Sequence, residues 1–143
     1  MTPALPDILR GNFMALAIPG PPEQQGEFMT GRVGVIALLS LLAAQEVERG
    51  TQARVWENAA IAAVLAKAAE TYGVQYAEIA STGPVDLSLE ALDRANAALR
   101  RGLIALHEAV EAAGDLLRHK MIVGLYGQMA ERRNLELPPL PAR

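Results

Sequence analysis

Cysteine is absent from the 143 residues, and aromatic residues make up only 4% of them. Without cysteine the chain has no disulfide, no thiolate metal ligand and no thiol nucleophile, which fits a reducing compartment. The scarcity of aromatic side chains means that the core must be built from smaller aliphatic residues. Hydrophobic residues still make up 51% of the chain, which is enough for one domain of this length to bury a core.

A membrane-spanning run and an excess of basic charge are also missing. The longest apolar run, residues 33–44, is shorter than the roughly 20 residues that a spanning helix needs. The net charge of −3 disfavours nucleic-acid binding, which usually needs a basic face. A basic segment followed by a long apolar run, typical of secretory signals, is not found either. We therefore expect a cytoplasmic protein without membrane or nucleic-acid partners, and the excess of arginine over lysine suggests a bacterial origin.

Sequence patterns for catalysis are equally scarce. None of the three serines, Ser40, Ser81 and Ser88, stands in a Gly-x-Ser-x-Gly nucleophile elbow. The chain has no glycine-rich phosphate loop. It also lacks the Glu-x-x-His pairs of di-iron helical bundles. These absences favour a non-enzymatic protein without a cofactor or a bound metal over an enzyme.

Helical patterns cover most of the chain. Residues 30–72 read as one long helix with a kink near Gly50, and residues 73–85 as a connector. Residues 86–133 form a second helical segment, with a bend or an end near Gly124. The seam of this second segment alternates steps of three and four residues, which is the signature of helix-on-helix packing. Its members are Leu89, Leu92, Asn96, Leu99, Leu103, Leu106, Val110, Ala113 and Leu117.

These patterns predict an all-α fold, a long antiparallel helical hairpin with helices kinked near Gly50 and Gly124. Such a hairpin has little core of its own, so we expect two copies to pair into a four-helix-bundle-like homodimer. Residues 1–29 form a proline-rich irregular arm in which a short helix can start at Asp7. Residues 134–143 form an extended proline-rich tail.

The tail also matches a short ligand pattern. Pro138, Pro141 and Arg143 have the PxxPxR spacing of SH3-domain ligands. Because so short a pattern occurs often by chance, a tail that ends the last helix is the simpler interpretation.

Both histidines lie in a strip that repeats every four residues, formed by His107, Glu111, Asp115 and His119. On one continuous helix each step of four drifts by about 40°, so the four side chains cannot share one ion. His107 then lies beside the seam with Glu111 one turn away. Asp115 and His119 are predicted to face water.

A second polar cluster lies near the middle of the first helical segment. If the hairpin folds about residue 79, Glu57 comes near Arg100 and Arg101, and Arg54 near Ile104. His107 and Glu111 then face the region from Glu46 to Arg54. The candidate ligand-binding residues are Glu46, Arg54, Glu57, His107 and Glu111.

Two interpretations of this cluster are open. A lattice of salt bridges that sets the register between helices predicts a non-enzymatic interaction or scaffold protein that acts as a homo-oligomer. A binding site predicts a helical bundle that binds a small molecule or a metal, with hydrolytic activity as a further alternative. Asn96, a polar residue in the apolar seam, is expected to fix register in either case.

Overall fold

The computed structural model describes residues 5–17 and 26–137, and it confirms the all-α class over those residues. The PxxPxR pattern of Pro138, Pro141 and Arg143 falls outside them. Five α-helices follow one another along the described chain. They are α1 (Leu5–Ala17), α2 (Glu27–Tyr72), α3 (Gln75–Ala80), α4 (Leu89–Ala112) and α5 (Leu116–Arg133).

The chain divides into two compact units, Met1–Gly50 with Leu135–Arg143, and Thr51–Asn134. In the first unit, the side chain of Gln45 on α2 makes two hydrogen bonds with the backbone of Glu136. Its Nε2 donates to the Glu136 carbonyl at 2.8 Å, and its Oε1 accepts from the Glu136 N–H at 2.7 Å. Helix α2 continues without interruption through Gly50. The division into an N-terminal arm, a bundle and a tail stays a prediction.

The core of the second unit draws on the second half of α2, on α3, and on α4 and α5. The predicted seam is buried from Leu92 to Val110, because these residues repeat on one face of α4. Outside that range the prediction is wrong: Leu89 is exposed, Ala113 is exposed, and Leu117 is 75% exposed. The core residues are Ile61, Leu65, Ala68, Tyr76, Leu99, Leu103, Leu106, Val110, Ile122, Leu125 and Met129.

The seam stops because the second helical segment is two helices and not one. Gly114 adopts φ +67°, and its N–H donates to the carbonyl of Glu111 while the N–H of Asp115 donates to the carbonyl of Val110. This pair of bonds is a Schellman motif, which ends a helix at a glycine in the left-handed conformation. Helix α5 runs through Gly124, so the second helical segment does not end at that glycine.

Asp115 begins the next helix. Its Oδ1 accepts from the backbone N–H of Arg118 at 3.0 Å, and its Oδ2 accepts from the Tyr72 hydroxyl at 3.1 Å. The first bond is an N-cap, which satisfies one of the free N–H groups at the start of α5. The chain therefore reverses within the three residues from Ala113 to Asp115.

Alanine substitutions at two glycines test where the chain reverses. Gly114→Ala should lower the free energy of unfolding by roughly 1 kcal/mol, because a Cβ is strained at positive φ. Gly124→Ala should raise it by roughly 0.5–1 kcal/mol, because this glycine lies in a helix and a Cβ added there would meet open space. Urea unfolding measures both. Stabilisation by Gly114→Ala would contradict the reversal at residue 114.

Candidate metal centre

Three potential metal ligands converge where α4 and α5 meet. His107 and Glu111 lie one turn apart near the end of α4, and His119 lies at the start of α5. His107 Nε2 and His119 Nδ1 are 3.0 Å apart. Glu111 Oε1 lies 3.7 Å from His107 Nε2 and 3.5 Å from His119 Nδ1. One carboxylate oxygen and two imidazole nitrogens thus form a nearly regular triangle.

The size of this triangle matches a transition-metal ion. The points equidistant from the three atoms lie about 2.0 Å from each in the plane of the triangle and slightly farther above it, which matches the lengths of Zn–N and Zn–O bonds in protein sites. Two imidazoles and one carboxylate are a common zinc ligand set. Mg²⁺ and Ca²⁺ prefer oxygen ligands, so two imidazole nitrogens disfavour them.

The site is open to solvent on one side. The side chain of His107 is 18% exposed, that of His119 36% and that of Glu111 57%. The Tyr126 ring packs on the inner side, with its centroid 5.6 Å from that of His107. In the 3.0 Å contact between the two rings, one ring N–H donates to the nitrogen of the other ring, which requires complementary tautomers.

The prediction that His119 faces water, away from His107, is wrong. It assumed that one helix runs through residues 107–119, but the Schellman motif at Gly114 turns the chain back. Asp115 is not a ligand because it caps α5, and the bond from the Arg118 backbone N–H lowers the pKa of its carboxyl. The pair Gly114-Asp115 was the signal in the sequence for this reversal, since glycine favours a helix end and aspartate favours a helix start.

A separate network surrounds Glu57 of α2, whose side chain is only 1% exposed. Its Oε1 accepts from Arg100 Nε at 2.6 Å and from Asn96 Nδ2 at 2.9 Å, and its Oε2 accepts from Arg133 Nε at 2.6 Å. Burial alone would raise the pKa of the Glu57 carboxyl. The hydrogen bonds from Asn96, Arg100 and Arg133 outweigh that effect and hold its pKa below the ordinary value.

Helices α2 and α4 are joined further by two asparagines of this network. Asn96 Nδ2 donates to Asn58 Oδ1 at 2.8 Å, and Asn58 Nδ2 donates to the carbonyl of Leu92 at 3.1 Å. The predicted proximity of Glu57 and Arg100 is confirmed. The role of Arg133 could not be read from the sequence, because it lies 76 residues from Glu57 and on another helix.

The four sequence-predicted site residues of the second unit do not gather in one place. Arg54 binds Asp93 through a 2.6 Å contact, and was expected near Ile104. Glu57 belongs to the arginine network, and His107 and Glu111 belong to the cluster with His119. Glu46 lies on the part of α2 that belongs to the first compact unit.

No helix among the described residues combines the length and the apolarity that crossing a membrane requires. Comparisons with protein-family models, with curated proteins and with solved structures find no match to this chain.

Proposed function

We propose that the protein is a metal-binding helical protein that holds one Zn²⁺-like divalent ion through His107, Glu111 and His119. The observation that carries this proposal is the triangle of His107 Nε2, Glu111 Oε1 and His119 Nδ1, whose sides measure 3.0–3.7 Å. The proposal keeps two residues of the sequence-predicted site and adds His119 to them.

Such an ion joins two helices. His107 and Glu111 come from α4 and His119 from α5, so metal binding fixes the angle of the chain at Gly114. Three protein ligands also leave one position of a tetrahedral ion for water, as in catalytic zinc sites. The exposed edge at Glu111 gives solvent access to that position.

Calorimetric titration with Zn²⁺ tests the proposal, with Glu111→Gln and Glu108→Gln as a matched pair on the same helix. We expect one ion per chain, at least tenfold weaker binding for Glu111→Gln, and unchanged binding for Glu108→Gln, since Glu108 is exposed outside the triangle. Mg²⁺ should give no saturable binding. Absence of zinc binding, or equal affinity of the two variants, would reject the metal centre.

Homodimerisation is a second proposal, and it keeps the predicted pairing of helical hairpins into a four-helix-bundle-like core. It is supported by the first half of α2, where Val35, Ile36 and Leu39 are exposed large hydrophobic residues close together on one helix. Exposed apolar patches often mark protein interfaces. A homodimer formed through this surface would act as an interaction protein. Dimerisation through the first unit is compatible with metal binding in the second unit.

Light scattering tests the dimer. We expect a mass of about twice 15.2 kDa for the unmodified chain. Leu39→Glu should give a monomer, and Val85→Glu, in the exposed connector, should not change the mass. A monomeric unmodified chain at micromolar concentration would contradict the proposal.

A further inference from the structure

We propose that a pocket between α4 and α5 binds a small monocarboxylate with an apolar body, such as a medium-chain fatty acid. The pocket has a volume of about 360 Å³, within the range of small-molecule sites. Its walls are apolar, and two guanidinium groups and one phenol are its polar parts. The apolar lining comes from Leu103, Ile104, Met129 and Ala130.

The charge of the pocket indicates a single negative charge on the ligand. Arg100 and Arg133 both line the pocket, and both bind the carboxylate of Glu57 through Nε. One carboxylate neutralises only one of the two guanidinium groups, so a single positive charge is left over. A monoanion balances it, whereas a phosphate dianion would overcompensate and could not use the apolar walls.

Hydrogen-bond donors are available at the same place. The terminal nitrogens of Arg100 have no acceptor among the described residues, and Arg133 uses one of its own for a long 3.4 Å contact with Asn96. The Tyr126 hydroxyl donates to no described group either. A phenol hydroxyl is a hydrogen-bond donor. A carboxylate accepts from both kinds of donor.

This site is distinct from the metal centre but adjacent to it. Tyr126 lines the pocket on one side and packs against the His107 ring on the other. The ligand binds by charge and apolar contact, and neither needs a metal ion. Zinc binding and carboxylate binding can therefore fail independently, which separates this inference from the proposed function.

Calorimetric titration with octanoate and with octanamide tests the inference. The two probes share a chain length and differ in charge. We expect octanoate to bind at least tenfold more tightly than octanamide, because only the carboxylate balances the spare guanidinium charge. Absence of octanoate binding, or equal affinity for the two probes, would overturn the inference.

Substitution of Ile104 locates the binding without disturbing the arginines. Ile104 lines the pocket but is 53% exposed, so Ile104→Glu and Ile104→Lys should both fold and keep their zinc affinity. Octanoate should bind about tenfold more weakly to Ile104→Glu than to Ile104→Lys, and octanamide should bind equally to both. Equal octanoate affinity of the two variants would place the anion elsewhere and overturn the inference.

Discussion

Glu57→Ala should lower the free energy of unfolding by about 3 kcal/mol, the largest loss expected from any single charged side chain in the second unit. The substitution removes a buried carboxylate that accepts three hydrogen bonds. It leaves the amide of Asn96 with one acceptor fewer, and it leaves two guanidinium groups next to each other without their shared anion. Because both arginines are partly exposed, water can solvate them, and the loss stays at the lower end of the range for buried pairs.

Urea unfolding of Glu57→Ala and of Glu90→Ala measures this effect. Glu90 also pairs with an arginine, but its side chain is 82% exposed, so its loss should change the free energy of unfolding by less than about 0.5 kcal/mol. Equal effects of the two substitutions would show that the buried network contributes no more than a surface ion pair.

Acidification should remove part of the stability that the Glu57 carboxylate contributes to the folded chain. The Glu57 pKa is lower in the folded chain than in the unfolded one, so the unfolded state takes up the proton first. The contribution of Glu57 to the free energy of unfolding is therefore complete above the ordinary glutamate pKa. It is lost as the pH falls through the lowered pKa of the folded chain. Glu57→Gln should show a weaker dependence of stability on pH in that acidic window.

Zn²⁺ at a hundred times its dissociation constant should raise the free energy of unfolding by about 2.7 kcal/mol, and His119→Gln should abolish that rise. The substitution leaves only His107 and Glu111, both from α4, so the ion no longer joins α4 to α5. Two ligands from one helix also hold a zinc ion far less tightly than three.

Urea unfolding with and without Zn²⁺ measures this difference, with Glu108→Gln as the control that should keep the full stabilisation. Without zinc, His119→Gln should cost little, since its imidazole is partly exposed. A zinc-dependent rise of the same size in His119→Gln would show that the ion binds elsewhere.

The sequence predicts the helical class and the interior of α4 well, because both depend on local spacing. The alternation of three and four residues from Leu92 to Val110 requires one buried face on a helix, and those residues are buried. The contact of Glu57 with Arg100 also follows from the sequence, since a chain reversal near residue 79 brings those positions together.

The cluster of His107, Glu111 and His119 was missed by helical periodicity, because it depends on where a helix ends. The apolar residues keep their helical spacing up to Leu117, so this spacing predicts one helix that continues across Gly114. The local signals at Gly114 and Asp115 favour a reversal, and the structure follows them. Because the chain reverses at Gly114, His119 Nδ1 lies 3.0 Å from His107 Nε2. Helical periodicity cannot predict this tertiary contact.

The most direct test of the shared site is a zinc titration followed by NMR of the imidazole ring protons. His107 and His119 are the only histidines in the chain, so each ring can be assigned with one substitution. The account predicts that both sets of ring signals change together and reach their end points at one Zn²⁺ per chain. Signals of His119 that stay unchanged while those of His107 shift, or an absence of change in both, would contradict it.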